Sequence, residues 1–168
     1  MMQEKHHYYI KIILNVVITV FFGMLLTILP LPHSLFWFYP SWVLMILIFW
    51  LIFFPSYINL FTFWLAGLLM DLLTGVLIGQ TAFIFLSTAY IIMRFFDRFA
   101  CFVMWRQSLL ILLLTTINMF FTYCINALTG DASFHATYLS TILLNTLLWP
   151  VIFFCLTHFY RSLIKHNK

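Results

Sequence analysis

Charge is scarce in this sequence. Eight Lys and Arg and four Asp and Glu make up 7% of its 168 residues, against roughly 25% in a soluble domain. Too little polar surface exists to cover a water-exposed globule, so no separate soluble domain is expected. Four acids also leave little for paired acid and base chemistry, which argues against an intramembrane lipid-modifying enzyme. One of them, Asp97, lies between Arg94 and Arg98 and reads as a solvated charge pair worth under about 1 kcal/mol.

Other absences narrow the field further. Cys101, Cys124 and Cys155 are widely spaced and form no CxxC pair, so neither a disulfide framework nor a zinc site is indicated. His6, His7 and His166 lie in the tails, His33 and His135 in expected loops and His158 near the end of the last apolar run. No HExxH or similar ligand spacing links them. A nucleophile elbow, a Ser and Lys dyad and a phosphate-binding glycine loop are all missing. The sequence therefore predicts no catalytic residue, no metal and no cofactor.

What is abundant is apolar. Hydrophobic residues account for 65% of the chain, mean hydropathy is +1.09, and there are 21 Phe, 8 Tyr and 6 Trp. This is the composition of a single all-α, polytopic membrane domain covering residues 1–168, with room for about six spans of roughly 20 residues. The start of the chain has the basic flank of a signal peptide, but its apolar run is too long and no small-residue cleavage site follows, so it is retained as a first helix. Hydropathy and punctuation place the spans near 10–29, 36–54, 57–78, 81–94, 108–128 and 138–160. Pro30 and Pro32 end the first, Pro55 and Ser56 separate the second and third, a reversal at Gly79 and Gln80 follows the third, and Pro150 is expected to kink the sixth.

Basic residues orient such a bundle, because short cytoplasmic loops collect Lys and Arg. With six spans, Lys5, Lys11, Arg94, Arg98, Arg106, Arg161, Lys165 and Lys168 all fall on one side, so both termini are expected in the cytoplasm. Removing a span would scatter basic clusters over both faces. The basic face suits anionic lipid head groups. Topogenesis already explains it, so no nucleic-acid partner is inferred.

Asp71 is the only charge well inside a long apolar segment, where insertion scales assign it a cost of roughly 2.5–3.5 kcal/mol. Gly67, Asp71, Gly75 and Gly79 recur every four residues, which predicts one helical stripe on which three glycines admit a neighbouring backbone. Asp71 is thus expected to face a helix bundle, as a hydrogen-bonded structural anchor or as a ligand or proton site. A second four-residue ridge, Asn15, Thr19, Gly23 and Thr27, is a candidate for helix packing or for docking a partner. Thr115, Asn118, Thr122 and Asn126 form a polar seam in the fifth span, and Thr137, Thr141 and Asn145 one in the sixth.

The segment from Gly67 to Tyr90 resembles the signature region of the bacterial rod shape-determining protein MreD family. The matching positions are Gly67, Asp71, Gly75, Gly79, Gln80, Ala89 and Tyr90, followed by Arg94. They cover about one seventh of the chain, and the length, span plan and short outer loops agree over the rest. The resemblance implies a non-enzymatic component of the wall-elongation machinery in the bacterial inner membrane. Its implied partners are MreC, a single-span protein with a large periplasmic domain, together with MreB, RodA and a class B penicillin-binding transpeptidase. It also implies a fold related to the substrate-binding subunits of energy-coupling-factor vitamin transporters. The rival reading is such a transporter subunit, in which Asp71, Gln80, Asn118 and Asn126 would line a ligand pocket.

Overall fold

The computed structural model of the chain describes residues 2–29, 40–55, 58–95, 104–128 and 137–165. Among these residues the chain is all-helical, with six helices: α1 (Met2–Ile28), α2 (Trp42–Phe53), α3 (Leu60–Thr74), α4 (Gln80–Phe95), α5 (Met104–Leu128) and α6 (Thr137–Lys165).

The shortest helix, α2, is apolar on every face, and a helix of that kind is stable only when surrounded. Its residues from Val43 to Leu51 are all buried, and α1, α4 and α6 pack around it. The expected start at Phe36 lies outside the described residues. The helix begins at Trp42, beyond Pro40, whose carbonyl accepts the Trp42 amide at 2.9 Å.

Pairwise contacts give the helix directions. Gly23 of α1 lies over Ile46 of α2, and Thr19 bonds to Trp50, so contacts run down α2 as they run up α1 and the two are antiparallel. Gln80 and Thr88 of α4 reach Asn126 and Asn118 of α5, again antiparallel. Ser41, the N-cap of α2, and Phe49 within it meet Asn145 and Phe153 of α6, which makes that pair parallel. Trp149, buried completely, donates its indole N–H to Gln107 Oε1 at 3.3 Å and ties α6 to α5. The helix of α6 continues through Pro150.

Large apolar side chains cover the outside of the bundle. Phe21, Phe22, Phe61, Leu72, Phe120, Leu147 and Phe154 are all more than half exposed, which in water would be a strongly aggregating surface. Two helical segments, Trp105–Leu128 and Leu139–Phe159, are long and apolar enough to cross a membrane, and only 22% of each apolar window is buried. That low burial separates them from the core helices of a soluble protein. The shorter apolar stretches Ile12–Ile28, Trp42–Phe53 and Leu60–Thr74 accompany them. The chain is built for a lipid environment.

Candidate functional site

The turn between α3 and α4 is organised by one side chain. The third helix stops at Thr74, four residues before the expected limit at Ile78, because Gly75 takes the left-handed conformation with φ 69° and closes the helix by donating its N–H to Asp71 O at 3.0 Å. Glycine adopts this conformation without the steric penalty of a Cβ. Gly79 also has positive φ, 98°. It precedes α4, and its carbonyl accepts the Phe83 amide at 2.9 Å. As the helix N-cap it has no side chain to satisfy the first amides of α4.

Asp71 supplies the missing cap from the preceding helix. Its Oδ1 accepts the Thr81 N–H at 2.8 Å, and its Oδ2 accepts those of Gly79 at 2.8 Å and Ala82 at 3.3 Å. Three amide donors on two oxygens are what an acceptor-only carboxylate satisfies, and the N-terminal end of a helix favours negative charge. Asp71 is 1% exposed. Its backbone therefore terminates α3 while its side chain starts α4.

This geometry corrects the continuous glycine stripe expected from the four-residue spacing. Only Gly67 and Asp71 lie on α3, whereas Gly75 and Gly79 are the turn itself, and a Cβ added at either would meet no atom within 4 Å. Gly67 alone admits a close backbone: a Cβ there would overlap Ala82 Cα and sit 2.7 Å from Ala82 N. Gln80, at the start of α4, donates its side-chain amide to Asn126 Oδ1 at 3.1 Å.

The second ridge faces inward. A Cβ on Gly23 would meet Ile46 Cδ1 of α2 at 2.8 Å. Thr19 Oγ1 accepts the Trp50 indole N–H at 2.9 Å and donates back to Asn15 O at 2.8 Å, while Thr27 Oγ1 donates to Gly23 O at 2.8 Å. The ridge thus seats α1 on α2. Of the polar seams, the one on α5 reaches α4 through Asn118 and Asn126, and Asn145 on α6 clamps the start of α2. Asn145 Oδ1 accepts the Ser41 N–H at 2.9 Å, and its Nδ2 donates to Ser41 Oγ at 3.3 Å.

Three polar groups that a transporter pocket would need are therefore engaged in helix contacts: Asp71 with backbone amides, Gln80 and Asn126 with each other. Sequence spacing did not reveal the Asn145–Ser41 and Trp149–Gln107 pairs, because their members lie 104 and 42 residues apart. The capping role of Asp71 had a usable signal, an acid eight residues before a glycine at an expected helix start.

Between α1 and α3 the bundle surface is hollow. Val17, Val20 and Phe21 of α1 face Leu65 and Leu69 of α3 across a groove of about 290 Å³ that reaches Leu47 of α2. Among the described residues, no group of three or more His, Cys, Asp or Glu is placed to hold a metal ion.

Comparison with known proteins supplies the family. The family model for rod shape-determining protein MreD matches residues 9–159. The Rod shape-determining protein MreD of Haemophilus influenzae is 25% identical over 144 residues, covering 86% of this chain and 89% of that one. No solved structure matches. With a family match over all but the ends of the sequence, the chain belongs to the MreD family of rod shape-determining proteins.

Proposed function

We propose that the chain is a non-enzymatic membrane scaffold of the wall-elongation complex, crossing the bacterial inner membrane six times with both ends in the cytoplasm. The observation that carries this reading is the family match over residues 9–159. The principal partner is MreC, recognised through its single transmembrane helix, and MreB, RodA and a class B penicillin-binding transpeptidase act in the same assembly. The chain supports lateral peptidoglycan synthesis and thereby rod shape.

The groove between α1 and α3 is the proposed seat for the partner helix. Helix association in lipid depends on close packing more than on hydrophobicity, so a recessed surface gains contacts that a flat one does not. Val17 and Leu69 flank the recess, and the Asn15 to Thr27 ridge fixes one wall by holding α1 on α2. The fixed α3–α4 turn holds the other wall in register through Asp71.

Co-purification tests the proposal. Val17→Trp and Leu69→Trp fill the groove from opposite walls and should reduce recovery of MreC and give rounded cells, with folded yield retained. Leu147→Trp, on an exposed face of α6, is the control. Undiminished MreC recovery in both groove variants would refute this docking site. Absence of MreC from the native complex would refute the scaffold reading itself.

A further inference from the structure

We infer that the bundle contains a binding site for a small uncharged amphiphile at the end that holds the α3–α4 turn. A cavity of about 310 Å³ lies there, at the lower end of the roughly 300–1,000 Å³ typical of small-molecule sites. All six helices contribute to it. Met70, Phe85 and Met119 give it apolar walls, and Thr27, Ser41, Thr81, Thr122 and Thr141 add hydroxyls. Among the described residues that line it, none carries a charged side chain. Against these described walls a phosphate, carboxylate or ammonium would lose its hydration without an ionic partner, so their chemistry favours an uncharged ligand.

The polar groups show what the occupant must offer. Thr27 and Thr122 donate their hydroxyl protons to Gly23 O and Asn118 O, both one turn earlier in their helices. Towards a ligand these two hydroxyls therefore present lone pairs, which accept a hydrogen bond from an alcohol or amide.

Asn118 provides the second, independent observation. It is 5% exposed, its Oδ1 accepts from Thr88 Oγ1 at 2.8 Å, and among the described residues its Nδ2 has no hydrogen-bond partner. Turning the amide over does not remove the deficit. Thr88 would then give its proton to Ile84 O, already at 2.9 Å, and Asn118 Oδ1 would be the unpaired atom. A buried amide group left without a partner is destabilising, because it loses its hydration and gains no hydrogen bond in return. Asn118 is not among the described residues that line the cavity; it lies one helical turn, about 6 Å along α5, from Thr122, which does line it, on the same helical face. An alcohol, ester or amide head that extends one helical turn past Thr122 would satisfy Asn118, with the apolar remainder between Met70, Phe85 and Met119. The chemistry is shared by a free neutral solute and by the ester region of a membrane lipid.

Photolabelling of the full-length chain in nanodiscs distinguishes these occupants without any partner protein. The probe is n-decanol carrying a diazirine, and labelled peptides are mapped by mass spectrometry. Peptides containing Phe85 and Met119 should be labelled, and their labelling should fall about tenfold, the equivalent of one lost hydrogen bond, in Asn118→Leu. Thr122→Met, which fills the cavity, should lower it similarly. Labelling of the α1 peptide containing Val17 should not change, because that surface meets lipid in every variant. Leu has the same branched heavy-atom skeleton as Asn and Thr88 keeps its bond to Ile84, so Asn118→Leu should fold; if its thermal midpoint collapses, Thr122→Met alone decides. A phosphatidylcholine with the diazirine in an acyl chain identifies the source. Variant-sensitive labelling by it means a lipid chain enters, and labelling by decanol alone means a free solute does. Unchanged labelling in both variants, or none at Phe85 and Met119, would overturn the site and leave Asn118 to water.

Discussion

The carboxylate of Asp71 and the amide of Gly79 are 2.8 Å apart across the α3–α4 turn, so a side chain from one helix caps the next. The arrangement explains how an acid is tolerated at the end of an apolar helix. Its desolvation is offset by three amide donors and by the helix terminus they belong to.

Replacing Asp71 by Asn should destabilise the chain. The best orientation puts the Asn oxygen towards Gly79 and Ala82 and turns an NH2 group against the Thr81 N–H. Two donors then face each other where Oδ1 now accepts at 2.8 Å. The cost is about 1–3 kcal/mol for an unsatisfied buried donor. Asp71→Leu removes all three acceptor contacts and should cost more. Thermal unfolding in detergent, followed by tryptophan fluorescence, should rank wild type above Asn and Asn above Leu. An Asn variant as stable as wild type would show that the cap contributes little.

Glycine positions should separate by mechanism. Gly67→Ala places a Cβ 2.7 Å from Ala82 N, a backbone atom that cannot swing away, and overpacking of this kind costs roughly 1–3 kcal/mol. Gly75→Ala and Gly79→Ala meet no atom within 4 Å but must adopt φ of 69° and 98°, with a penalty of about 1–2 kcal/mol for the left-handed region. A D-alanine at 75, introduced by semisynthesis, should restore stability there but not at 67. Rescue at both positions would contradict this division.

Gly23→Leu should lower folded yield whether or not a partner is present, because its side chain would enter the α1–α2 contact at Ile46 and Val43. Gly23→Ala should be mild, since the nearest atom, Ile46 Cδ1 at 2.8 Å, is the end of a flexible side chain. Full yield of the Leu variant would mean that α1 does not seat on α2 as described.

Membrane character, helix number and the inward position of Asp71 were legible because they depend on composition and local periodicity. Four-residue spacing also identified Gly23 and Gly67 as close-approach positions. It extended α3 too far because periodicity continues through Gly75 and Gly79 after the backbone has left the helix, and only positive φ distinguishes a packing glycine from a turn glycine. Partners such as Asn145 and Ser41 join helices distant in sequence, and no local pattern encodes that choice. The orphaned amide of Asn118 was invisible for the same reason, since spacing assigns every member of its seam to a helix contact without saying which atoms pair.

The orientation of the bundle follows from where the basic residues stand. Arg94 and Arg106 lie near the ends of α4 and α5 that are joined to each other, and both are exposed. Lys5 and Lys165 belong to the first turns of α1 and the last turn of α6, and alternating helix directions bring these ends to the same side as Arg94. If short basic segments are retained in the cytoplasm, the proposed six-span topology predicts positions 5, 98 and 165 inside and positions 34 and 133 outside. Single cysteines at these five sites, in a chain with Cys101, Cys124 and Cys155 replaced by Ser, should react with an impermeant maleimide in intact cells only at Ser34→Cys and Ser133→Cys. All five should react after the membrane is permeabilised, which shows that the inner three are shielded and not buried. Labelling of Arg98→Cys in intact cells would require the α4–α5 connection to lie outside and would remove the six-span topology.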